Sequence, residues 1–151
     1  MNLTLKPVAE PDLETLSALC LRSKAWWGYD AAFMSLCVDA LTLGPEALTP
    51  GGSIAAWDGD APAGVACVSV EGRVAELEKL FVDPPYIGTG LGRRLFDWAT
   101  ETAHAWGANE MRILADPGAA PFYERMGVKR IGDEPSDAIA GRMLPRMVAL
   151  L

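Results

Sequence analysis

At 151 residues the chain has room for one domain around one core. Half of its residues are hydrophobic, which argues for a folded globule and against a disordered tail. Twenty acidic against thirteen basic residues leave a formal charge of −7, which argues against general nucleic-acid binding and favours cationic ligands such as amines. A small anion held by local backbone dipoles remains compatible with that charge.

A first strand is predicted near Leu3–Lys6. The start Met1-Asn2-Leu3-Thr4-Leu5-Lys6 lacks the apolar core of a signal peptide, and no run approaches the roughly 18 apolar residues that span a bilayer. A helix follows from about Asp12 to Ser23, with Leu13, Leu16, Leu19 and Cys20 at helical spacing. A second helix covers Asp30 to Leu41. Between them, Trp26, Trp27, Tyr29 and Asp30 admit two readings. They form a wall for an aromatic or cationic group, with Asp30 pairing a charge, or the tryptophans pin the helix pair to a sheet while Asp30 caps the second helix. Cys20, Cys37 and Cys67 are odd in number, lack metal-ligand spacing and sit in apolar surroundings, so core packing in a reducing cytoplasm is expected.

After Gly44-Pro45 and Pro50-Gly51-Gly52, strands are predicted at Ser53–Trp57, Ala63–Val70 and Val74–Val82. The tight turns Asp58-Gly59-Asp60 and Glu71-Gly72-Arg73 make them an antiparallel meander. The last strand runs into Asp83-Pro84-Pro85-Tyr86-Ile87-Gly88-Thr89-Gly90-Leu91-Gly92-Arg93-Arg94, a glycine-spaced turn opening a long helix. Glycines let backbone approach an anion, and the unpaired N–H groups of a helix start supply donors, so this turn suits a phosphorylated ligand. Arg93 and Arg94 either reach phosphate oxygens or simply face solvent.

Leu91, Leu95, Ala99, Thr102 and Trp106 mark the expected buried face of the long helix. His104 shares a face with Asp97 and Glu101 and reads as solvated surface. A strand at Met111–Ala115, a short helix around Phe122 with a glycine stop at Gly127, and strands at Val128–Ile131 and Arg142–Val148 complete the chain. The order implies a single α/β domain over residues 1–151, a central, mostly antiparallel sheet flanked by helices.

The strand Val74–Val82, the glycine turn and Ala119-Ala120-Pro121-Phe122-Tyr123-Glu124-Arg125-Met126-Gly127 together resemble the GCN5-related N-acetyltransferase (GNAT) family. The resemblance covers the second half of the chain closely. It implies acetyl-CoA as cofactor, no metal, and strands Val74–Val82 and Met111–Ala115 that splay to form the cofactor cleft. In that pattern Phe81 and Val82 contact the cofactor's amides and the Leu80 N–H polarises the thioester carbonyl. Gly88, Thr89, Gly90, Leu91 and Gly92 hold the pyrophosphate, with a Thr89 hydroxyl contact. Ile87 stands where the family usually has Gln or Arg, removing a polar contact and weakening CoA binding. Asp116 stands where relatives often carry Asn, and Ala119 and Phe122 flank the same cofactor position.

The chemistry needs a neutral amine, only about one part in a thousand of a free alkylamine at pH 7. Glu76 and Glu78 alternate onto one face of their strand, together with Leu80 and Val82, and occupy the positions where the family places its proton acceptor. Each is equally an ordinary solvent-facing carboxylate. Tyr123 falls where the family carries the tyrosine that protonates the leaving thiolate, or packs beside Phe122. The implied function is transfer of acetyl from acetyl-CoA directly to a primary amine of a small molecule or peptide, by a cytoplasmic enzyme that does not bind nucleic acid or membrane. Dimers are common among proteins of this appearance. A non-catalytic acyl-CoA sensor and a partner-binding module on the same fold are the alternatives.

Overall fold

Period-two alternation and helical spacing resolve into seven strands and four helices in a computed structural model describing residues 2–151. The strands are β1 (Leu3–Lys6), β2 (Ser53–Asp58), β3 (Ala61–Glu71), β4 (Val74–Val82), β5 (Glu110–Leu114), β6 (Lys129–Pro135) and β7 (Met143–Leu150). The helices are α1 (Leu13–Ala25), α2 (Ala31–Leu41), α3 (Leu91–Ala105) and the short α4 (Ala120–Arg125). The glycine turn is entered through a 3₁₀ turn at Pro84–Tyr86, where proline fixes φ without forfeiting a needed N–H.

All seven strands lie in one sheet of order β1-β2-β3-β4-β5-β7-β6, and every neighbouring pair is antiparallel except β4 with β5. One face is covered by α1 and α2, whose Leu16, Leu19, Cys20, Cys37 and Leu41 pack with Ala55, Val65 and Cys67. On the other face Leu91 and Leu95 of α3 pack against Ala56, Ala63 and Ala66, and Phe96, Ala99 and Ala103 pack with Leu77, Met111 and Met147. The small residues of β2 and β3 let the helices approach closely. All three cysteines are buried, and burial pushes the Cys20 and Cys67 thiols up to about 12, as expected of core packing. Among the described residues no helix is long and apolar enough to cross a membrane.

Two expectations about side-chain direction are corrected. Trp106 is exposed past the end of α3, because the 3.6-residue period carries the apolar stripe through Ala99 and Ala103 instead. Its ring lies against Gly51. The alternation along β4 also breaks at a β-bulge, where Cys67 pairs with Lys79 and Val68 with Leu77, leaving Glu78 unpaired. Leu80 and Val82 consequently pack on the α3 face with Leu77, whereas Phe81 packs toward α1. Glu76 and Glu78 do not share their face.

The parallel β4–β5 pairing ends early. Its register covers Val74↔Glu110, Ala75↔Met111 and Glu76↔Arg112, yet β4 runs on to Val82. β5 turns instead toward β7, pairing as far as Leu114↔Arg146. Past Glu76 the sheet therefore opens into two arms.

Candidate functional site

The opening between the arms is a cleft of about 1320 Å³, floored by β4 and bounded by the glycine turn, the β5–α4 loop, α4 and the β6–β7 hairpin. Its backbone donors follow from ladder geometry. The Asp83 N–H donates to Ala63 O across β3 at 2.8 Å, and Phe81 faces Val65 two residues earlier in the same register. Alternation along an antiparallel pair turns the Leu80 and Val82 N–H groups the other way, toward the edge that β5 has vacated.

At the mouth, Gly88 and Gly90 adopt φ of +84° and +85°, a left-handed conformation that L side chains resist. Among the described residues the N–H groups of Gly88, Gly90, Leu91, Gly92 and Arg93 have no protein acceptor. A Cβ at Gly88 or Gly90 would meet nothing within 4 Å, so the concave side of the turn is open. This is a fitting cradle for a pyrophosphate. Thr89 departs from its expected part, because both its N–H and its hydroxyl donate to Tyr86 O, at 3.3 and 2.6 Å. It shapes the turn. Arg93 borders the cleft, as do Ile87, Ala119 and Phe122, whereas Arg94 does not and the Leu91 side chain is in the core.

Glu76 borders the cleft from the last position of β4 that pairs with β5, and burial raises its carboxyl above the ordinary carboxylate value against the opposing pull of Arg146. The Arg146 guanidinium contacts Glu76 at 3.3 Å and forks onto Glu134 with two bonds of 2.8 Å. Glu78, exposed at the bulge, accepts from the Ser69 hydroxyl at 2.7 Å. Tyr123 is buried between Phe96 and Phe122, with ring centroids 6.0 and 5.1 Å away, and reaches the cleft. Its hydroxyl takes part in none of the side-chain hydrogen bonds among the described residues, and burial raises its pKa so that it stays protonated.

Asp116 borders the cleft with its carboxylate engaged by groups of the protein. Its carboxylate accepts from Lys24 Nζ at 2.8 Å, Tyr29 Oη at 2.9 Å and Gly118 N at 2.9 Å, and faces Arg142 at 3.5 Å. Burial pushes its pKa up, but the Lys24, Gly118 and Tyr29 bonds outweigh that and hold it below the ordinary value. Tyr29 stands behind the wall, its ring stacked 4.1 Å from Phe33. Asp30 caps α2 by accepting from Phe33 N at 2.8 Å, so neither residue lines the cleft. Trp26 and Trp27 do line it. Trp27 lies over Gly118, where an added Cβ would sit 2.8 Å from the ring.

Lys24, Glu134, Arg142 and Arg146 are site residues that the sequence reading did not single out. A signal existed in β7 and the residue before it: Pro145, Met147 and Ala149 are buried at alternate positions, while Arg142, Leu144 and Arg146 take the opposite parity and line the cleft.

The family model described as "Acetyltransferase (GNAT) family" matches residues 19–128. An uncharacterized N-acetyltransferase of Methanocaldococcus jannaschii is 34% identical over 80 residues, which are 50% of this chain and 33% of that protein. The chain therefore matches about a third of the length of that curated relative. Among solved structures, a GCN5-related N-acetyltransferase from Rhodopseudomonas palustris superposes with TM-score 0.80 at 21% identity, covering 100% of this chain and 97% of the other. A PaiA N-acetyltransferase from Thermoplasma acidophilum, solved with coenzyme A, gives TM-score 0.76 at 18% identity with both chains covered fully.

Proposed function

Because the chain belongs to the acetyltransferase (GNAT) family, whose donor is acetyl-CoA, we propose that it transfers acetyl to a primary amine held beside that donor in one ternary complex. The observation that carries this reading is the convergence of Glu76, Tyr123 and the vacated edge of β4 on one cleft. When bound, acetyl-CoA supplies an activated carbonyl: the amine nitrogen forms the new C–N bond, the C–S bond breaks, and the thiol departs.

The residues divide that work. The free N–H groups of Gly88, Gly90, Leu91 and Gly92 bind the pyrophosphate, with Arg93 adding charge. The outward N–H and C=O of Val82 receive the pantetheine arm as an added strand would be received, whereas the expected Phe81 contact is lost because its backbone is turned to β3. The Leu80 N–H donates to the carbonyl oxygen as negative charge develops there. Glu76 accepts the amine's proton, directly or through water, and its raised pKa brings it closer to the base strength that the task requires. The Tyr123 hydroxyl, buried and protonated, returns a proton to sulfur.

The test is acetyl-CoA turnover with a panel of primary amines, followed by thiol release and by the mass of the product. Thiol release that depends on the amine and yields an amide one acetyl group heavier is expected. Saturable acetyl-CoA binding with no amine-dependent release would instead leave a cofactor-binding protein without transferase activity.

A further inference from the structure

The acceptor end of the cleft carries two poles of opposite sign. At one, a single carboxylate, Asp116, is shared by two cations, Lys24 at 2.8 Å and Arg142 at 3.5 Å, leaving one positive charge in excess. Both cations are largely withdrawn from solvent, with side chains 13% and 18% exposed, so that excess is weakly screened. The Arg142 guanidinium lies over the Tyr29 and Phe33 rings at 5.0 and 4.9 Å and donates to Tyr29 Oη at 2.6 Å through Nη2. Its Nε and Nη1 donors have no partner among the described residues, although the group borders the cleft. Asp137 of the same hairpin also borders the cleft but forms no ion pair with it. At the other pole one cation, Arg146, is shared by Glu76 and Glu134, leaving one negative charge in excess.

We propose that the acceptor is an amine that also bears a carboxylate, which binds between Lys24 and Arg142 while the amine is directed to Glu76. This rests on the acetyltransferase reading above and names its substrate class. A guanidinium with two unused donors is shaped for a carboxylate, and a flanking ammonium adds a point charge. Spacing narrows the class further. Arg142 immediately precedes β7 and Arg146 lies four residues further along, roughly 13 Å at 3.3 Å per residue of extended chain, so the reactive amine is an ω-amine separated from the carboxylate by a chain. An α-amino group beside its own carboxylate is too short to reach both poles. The acidic surface of the protein as a whole favours simple cationic amines, and the local arrangement selects within that class for molecules that also carry an anion.

The experiment compares 6-aminohexanoate with hexylamine, matched in chain length, and with glycine. Wild-type kcat/KM is expected to favour 6-aminohexanoate by at least about tenfold over either, the effect of one charge-assisted contact. Arg142→Gln and Lys24→Met should each collapse that preference toward one, chiefly through KM, while Arg142→Lys should retain part of it. Equal kcat/KM for 6-aminohexanoate and hexylamine in the wild type, or glycine acetylated as well as 6-aminohexanoate, would overturn the assignment. Calorimetric binding of 6-aminohexanoate to the CoA-loaded protein reads the anion site without turnover. Absence of that binding overturns the carboxylate site, whereas binding without transfer to any amine overturns the acetyltransferase reading and leaves the site standing.

Discussion

A hydroxyl with no protein partner at the end of a buried ring is an unusual use of tyrosine, since packing alone would be served by phenylalanine. Tyr123→Phe keeps the ring contacts with Phe96 and Phe122 and removes only the hydroxyl. It should lower kcat by about 10²-fold with acetyl-CoA affinity unchanged, as thiol release and calorimetry would register. Unchanged turnover would remove Tyr123 from the chemistry. Glu76 is tested by pH. Only its ionised form accepts a proton, so the acid limb of kcat/KM should lie above the ordinary carboxylate value of 4.5, in keeping with the direction in which burial moves this group. Glu76→Gln should lower kcat/KM by about 10²-fold and abolish that limb, and Arg146→Met, which removes the neighbouring cation, should move it to still higher pH. A limb that survives in Glu76→Gln and vanishes in Glu78→Gln would transfer the role to Glu78.

Asp116 makes a stability statement of its own. Asp116→Asn leaves Lys24 and Arg142 together without their shared counter-charge and should cost about 2–3 kcal/mol at neutral pH, seen as a fall in Tm of roughly 5–10 °C. Its pKa is lowered by folding, so its contribution is complete above the unfolded value of 3.8 and is lost as pH falls through the lower folded value. The gap in Tm between the two proteins should therefore close in that acid window. A gap that persisted there would mean that packing, and not charge, sets the difference.

Among the elements, those with local signals were legible. The glycine turn declares itself because left-handed backbone at Gly88 and Gly90 demands glycine, and α1, α3 and the β2–β4 meander follow from period and tight turns. The bulge at Glu78 carried no such signal. It is set by how β3 and β4 settle on the helices of both faces, and it reversed the direction of every β4 side chain beyond it. The same holds for Arg142 and Arg146, whose partners Asp116, Glu76 and Glu134 come from other elements and meet them only through the β5-β7-β6 order. The turn itself can be challenged with Gly90→Ala. A Cβ there meets no neighbour, so the cost is backbone strain, about 1–2 kcal/mol, and acetyl-CoA binding should weaken as the donors are displaced. Full stability and full affinity in this variant would show that the left-handed geometry is dispensable.

At the scale of the molecule, function comes from the place where the sheet fails to continue. Two antiparallel arms share only a three-residue parallel seam, and the backbone donors that a regular sheet would have paired are left facing a cleft. The glycine turn lies at the mouth of that cleft and α3 leads away from it, so its helix dipole and free N–H groups point at the same opening. A single large anion-bearing cofactor is the ligand that uses both features. The most direct measurement is calorimetric titration of acetyl-CoA into the protein and into its Gly90→Glu variant, which sets bulk and negative charge beside the turn. Saturable micromolar binding, weakened at least about tenfold in the variant, is the predicted result. Absence of binding at millimolar acetyl-CoA, or equal binding by both proteins, would contradict the assignment of this cleft.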